Sequence, residues 1–116
     1  MVIEVNPRFQ GSLDTVELST EISVFQAHLD AFDGRLPAAR RARYFAGRAI
    51  LYSSERIRID SDLRRLVLGI MDVPAPGSVI EMGDPVLSII SAGSGRRGVV
   101  ESLRAKRSAL GQILRL

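Results

Sequence analysis

The chain has no cysteine and no tryptophan, one histidine (His28) and one lysine (Lys106) among its 116 residues. Without cysteine there are neither disulfides nor thiolate-held metals. A lone histidine excludes an imidazole metal cluster and, mid-helix beside Ala27 and Leu29, reads as a packed or half-exposed side chain rather than a catalyst. Aromatic residues amount to 5%, too few for an extended base-stacking surface. No apolar run approaches the roughly 18 residues of a membrane span. Glu4 comes early and no basic stretch precedes an apolar one, so no secretory leader is expected and the cytoplasm is the expected compartment.

What is present is ordinary for a soluble globular chain: 46% apolar and 25% charged residues, one domain's worth of length. The net charge is +3, carried almost wholly by arginine. The densest basic run, "RLPAARRAR", holds Arg35, Arg40, Arg41 and Arg43 and reads as a solvated connector, the alternative being an anion- or partner-binding surface. Scattered arginines with few aromatics disfavour nucleic acid as the partner.

The pattern predicts an α+β fold, mostly antiparallel strands and hairpins with two main helices. "MVIEV" reads as a strand and "NPRFQGSLD" as a loop, with Pro7 preventing any helix from starting earlier. Val16, Ile22, Phe25, Leu29 and Phe32 predict one helix from about Asp14 to Phe32, stopped by Asp33-Gly34 and Pro37. "YFAGRAILYS" and "RIRID" read as strands, and Asp60-Ser61-Asp62 as a turn. "SVIEMGDPVLSIIS" reads as a hairpin turning at Gly83. Residues 96–116 form an amphipathic helix, with Val99, Val100, Leu103, Leu110, Ile113 and Leu114 on one side and Arg104, Lys106 and Arg107 on the other. The preceding "GSGRRG" lacks the Lys-Ser/Thr ending of a phosphate loop and reads as an ordinary connection into that helix.

Chemistry concentrates at residues 4–12. Side chains two apart on a strand share a face, so Glu4 and Asn6 present oxygen donors together, the ligand type that Mg²⁺ prefers. Two protein oxygens leave the rest of an octahedron to phosphate oxygens and water. Arg8 offers a planar fork suited to a carboxylate or phosphoryl oxygen. Gln10 and Ser12 extend the polar face, and Gly11 permits close approach to the backbone. A strand edge running into an Asn-Pro turn would show the same letters with no metal.

"IEVNPRFQ" resembles the E-x-N-x-R stretch of the ATP-grasp superfamily in its carboligase branch, which includes biotin carboxylase and carbamoyl phosphate synthetase. "AFDGRLP", "FAGRAILYS" and "GSVIEMGDPVLSIISAGSGRRGVVESLRAKRSAL" are similar to later landmarks of that family, in the same order, from Ile3 to about Leu110. The resemblance implies Glu4 and Asn6 as ligands of Mg²⁺-ATP, Arg8 as the residue stabilising an acyl phosphate, and Gln10 beside the substrate, where Ser12 on the same polar face is expected to bind it too. It makes residues 1–34 the end of a catalytic domain and 35–116 a C-terminal hairpin region capped by a helix. The family's glycine-rich phosphate loop, ATP-clamping lysines and second acidic metal ligand lie upstream of this strand, so the chain is expected to be a fragment or subunit, inactive alone. Association with the missing N-terminal half, or self-association through the 1–5 strand, is expected. Gly11-Ser12-Leu13 stands where biotin carboxylase has V-E-H after its Gln, which moves the implied reaction from biotin carboxylation to carboxylate–amine (or carboxylate–thiol) ligation.

Two further readings compete. A non-catalytic interaction or structural domain would keep the 4–8 residues as a relic. A biotinyl or lipoyl carrier is disfavoured, because the tip Glu81-Met82-Gly83-Asp84 has no lysine.

Overall fold

The largely apolar stretch "FAGRAILY", β-prone and interrupted by the single charge of Arg48, forms a long strand. The structure is a computed structural model that describes residue 1 and residues 8–114. In it β1 (Phe45–Tyr52) pairs antiparallel with β5 (Pro85–Gly93), from Phe45 opposite Gly93 to Leu51 opposite Leu87, with an irregularity at Leu51/Tyr52. The short β3 (Ile70–Met71) lies along the other edge of β5, giving the sheet order β1-β5-β3. A separate two-stranded ladder joins β2 (Ile57–Arg58) to β4 (Val79–Ile80). The architecture is α+β with antiparallel sheets.

β5 has neighbours on both edges and is covered on both faces, which suits its unbroken run Val86-Leu87-Ser88-Ile89-Ile90, buried throughout. The helix α3 (Arg96–Leu114) covers one face, burying Val99 and Leu110. Leu51, Ile59, Leu63, Val86, Leu87, Ile89 and Leu110 form the core. Gly47 is the close-approach point between β1 and α3: a Cβ there would lie 3.0 Å from Leu103 Cδ1 and 3.1 Å from Val99 Cγ1. Gly69, at φ +75°, serves a second one, since a Cβ would meet the Ile90 carbonyl oxygen at 2.8 Å and Lys106 Nζ at 2.6 Å. The single lysine thus acts inside the fold, donating from Nζ to the Ile90 carbonyl at 2.6 Å.

Two sequence expectations change. The helix expected over 14–32 is two helices, α1 (Leu13–Thr20) and α2 (Val24–Phe32). Glu21 caps α1 in the left-handed region at φ 56°, and Ser23 caps α2 by accepting from the Gln26 N–H. Glu17 reaches across the break, its Oε1 accepting from the Val24 N–H at 2.6 Å. "STEIS" offers weak helix formers and good caps, and these local bonds outweigh the apolar spacing. The two arms of the expected 78–91 hairpin do turn at Glu81–Asp84, with Gly83 at φ 86°, yet they do not pair with each other. β4 joins β2 and β5 joins β1, because Ser53 ties the turn to the end of β1: its N–H donates to the Asp84 carbonyl and its carbonyl accepts from Gly83.

Residues 8–43 form an arm. Neither α1 nor α2 contains a buried residue. The radius of gyration, 16.9 Å, exceeds the about 13 Å of a compact chain this long.

Candidate functional site

Glu4 and Asn6, the expected Mg²⁺ ligands, lie outside the described residues. Arg8, Gln10 and Ser12 are described and exposed. Between Arg8 and Gln10, Phe9 turns toward α2, with its ring 6.1 Å from that of Phe25 and 5.6 Å from that of His28. His28 is exposed and lies edge-on to Phe32 at 5.3 Å. The chain then turns: the Gln10 carbonyl accepts from the Leu13 N–H at 3.0 Å, and the Ser12 carbonyl accepts from the Thr15 and Val16 N–H groups. The Ser12 side chain makes no helix-capping bond.

What holds this loop on the sheet is Arg48, in the middle of β1. One guanidinium nitrogen, Nη1, donates to the Gly11 carbonyl and, at 3.1 Å, to Asp14 Oδ2. The other, Nη2, donates to Asp72 Oδ2 and, at 2.9 Å, to Ser88 Oγ. The side chain is 18% exposed, against 36% for Asp14 and 58% for Asp72. One cation therefore bridges the start of α1, β1, the residue following β3, and β5. Asp72 reaches it from a left-handed backbone at φ 54°. Ser88 is 2% exposed, and its oxygen finds this partner there, as a buried hydroxyl requires. Arg48 Nε is buried and finds no hydrogen-bond partner among the described residues.

Beside this network lies a groove of about 410 Å³ lined by Gly11, Ser12, Thr15, Ala46, Gly47, Arg48 and Ile50. Ser12 is thus brought to Arg48, whereas Arg8 and Gln10 do not line the groove. Arg48, Asp14, Asp72 and Ser88 were not picked out by the sequence as a group. The available signal was a lone charge in an otherwise apolar strand, which demands a partner when buried.

The groove can hold a small polar group against backbone and hydroxyl, but the Arg48 charge is already balanced by two carboxylates. Among the described residues no three His, Asp or Glu side chains converge as a metal site. No described helix is long and apolar enough to cross a membrane. Asp30, at the end of α2, has its carboxyl held below the ordinary value by the Arg35 guanidinium at 3.0 Å and by the Gln26 amide. Arg43, against Glu21 at 2.5 Å, is raised above its ordinary value by that hydrogen bond and charge. Both pairs brace the arm rather than the groove. No family model and no curated protein matches this chain.

Proposed function

We propose that this chain is the C-terminal part, or a subunit, of an ATP-dependent carboxylate–amine or carboxylate–thiol ligase of the ATP-grasp type. It supplies ligands to Mg²⁺-ATP while the phosphate-clamping half comes from elsewhere. Glu4 and Asn6 provide the hard oxygen donors that Mg²⁺ prefers. The metal would neutralise phosphate charge as the γ-phosphoryl moves to a carboxylate. Arg8 offsets charge on the acyl phosphate and on the phosphate that leaves when the nucleophile attacks. Gln10 and Ser12 face the carboxylate substrate.

The observation that carries this reading is the Glu4-x-Asn6-x-Arg8-x-Gln10 run, joined directly to a loop that Arg48 fixes on the sheet. Catalytic groups need such anchorage, since small misplacements are costly in rate. The uncovered arm fits the same reading: Phe25, Leu29 and Phe32 are 57%, 44% and 79% exposed, apolar area suited to a further domain.

That exposed arm equally favours a second reading, an interaction domain without catalysis. A titration with Mg²⁺-ATP followed by amide NMR separates the two. The ligase reading expects shifts confined to residues 4–12, a dissociation constant of about 1 mM (about 4 kcal/mol), and loss of the response in the Glu4→Ala/Asn6→Ala variant. An unchanged spectrum, or shifts that survive the double substitution, would leave the interaction-domain reading in its place.

A further inference from the structure

Among the described residues, the outer edge of β1 carries no paired strand; β5 occupies its other side. In an antiparallel strand alternate residues turn their N–H and C=O groups outward, so along Phe45–Tyr52 this edge presents donors and acceptors that no described strand takes up. Natural edges are usually blunted by charge, proline or a bulge. Here "FAGRAILY" has no proline, its one charge is folded inward onto Asp14 and Asp72, and the register stays regular as far as Leu51.

The edge opens into a groove of about 810 Å³ between β1 and α3. Four consecutive strand residues, Ala49 to Tyr52, line one wall; side chains of successive residues point to opposite faces, so a groove touching all four runs along the strand's edge. The facing wall of α3 carries Ser108 and Gly111, which leave room for a backbone, and Arg104 and Arg107. Both arginines are exposed, and neither has an ion-pair partner among the described residues. What marks Arg104 and Arg107 is their place: both line this groove beside the strand edge, whereas Arg35, Arg43, Arg48, Arg56 and Arg97 are engaged by carboxylates.

We infer that β1 takes up an extended acidic segment of a partner protein as an added strand, with main-chain bonds to the β1 edge and its carboxylates on Arg104 and Arg107. Strand addition of this kind draws affinity from backbone hydrogen bonds and selectivity from side chains at alternate positions. A second copy of the chain fits less well, since its own α3 would bring like charges to these arginines and the chain is already at +3. The inference rests on the β1–α3 groove alone and stands or falls apart from the ligase reading.

The test uses the full chain and two blocked peptides as long as β1, one alternating Glu and Val, the other Lys and Val. Amide NMR is expected to show the Glu-Val peptide slowing hydrogen exchange at alternate residues of Phe45–Tyr52. Affinity should fall roughly tenfold in Arg104→Ala/Arg107→Ala and further in Arg104→Glu/Arg107→Glu, with dispersed spectra showing both variants folded. The Lys-Val peptide is expected to bind at least roughly tenfold more weakly. Equal binding of both peptides, or none, would overturn the inference. So would protection of those amides in the free monomer, which means the chain fills its own edge, or protection that grows with protein concentration, which means a second copy does.

Discussion

α2 and α3 are comparably amphipathic, yet α3 buries Val99 and Leu110 while α2 buries nothing. The difference lies in what each helix meets. α3 lies on a sheet whose strands offer Gly47, Ala49, Leu51, Leu87 and Ile89, small and branched residues that let a helix approach closely. Among the described residues, α2 meets α1 and Phe9 rather than the sheet: the Phe9, Phe25, His28 and Phe32 rings pack on one another and stay exposed. Amphipathicity states that a helix has a face to bury; burial itself needs a second surface of matching shape. In this chain the sheet of the body (residues 45–114) supplies a second surface to α3, and to α1 in part, whereas α2 finds none among the described residues.

The sharpest way to break that contrast is a matched pair of truncations. Leu110→Ala, at a fully buried position, should destabilise by about 3 kcal/mol in urea unfolding, from lost transfer energy plus a cavity. Phe25→Ala removes a larger side chain but should stay within about 0.5 kcal/mol, because 57% of the residue is already in water. Equal losses would mean the arm packs as firmly as the body.

Next comes the link between the two regions. Arg48→Ala should cost about 2 kcal/mol, discounted from the value for a fully buried pair because Asp14 and Asp72 are partly exposed. Its signature is local: amides of α1 should exchange as fast as in an unfolded peptide, while α3 keeps its protection. Uniform loosening of both would show that Arg48 stabilises the whole sheet rather than attaching the arm.

The smallest effect concerns pH. Because Arg35 and Gln26 lower the Asp30 carboxyl in the folded chain, that carboxylate's contribution is fully present above the unfolded value and is lost as pH falls through the folded one. On acidification below the ordinary carboxylate range, the amides of Asp33–Arg35 should therefore lose protection. Asp30→Asn should remove that pH dependence, and an unchanged acid profile in the variant would assign it to another carboxylate.

Much of this fold is readable along the chain. The apolar spacing of Val99, Leu103 and Leu110 marks α3, the run around Arg48 marks β1, and Gly83 marks its turn, because each signal is local. The break at Glu21 was also written locally, in the weak helix formers of "STEIS" and the N-cap Ser23, but a count of apolar spacings overlooks it. Pairing is different. "SVIEMGDPVLSIIS" has the letters of a hairpin, yet its arms join different sheets, since Ser53, some thirty residues away in sequence, holds the turn. The candidate site divides likewise: the Glu4 to Gln10 run is a pattern of neighbours, whereas the Arg48 network joins four segments that no spacing rule connects.

The sequence by itself determined the α+β class, the places of α3, β1 and the turn at Gly83, the lack of thiol chemistry and the oxygen-donor run at residues 4–10, all consequences of residue type and short-range periodicity. Only the tertiary structure decided which strands pair, that Arg48 would place its charge between two distant aspartates, and that Arg104 and Arg107 would line a groove beside β1. Those outcomes follow from contacts between residues far apart in the chain, whose energies depend on shape and burial that no local pattern carries.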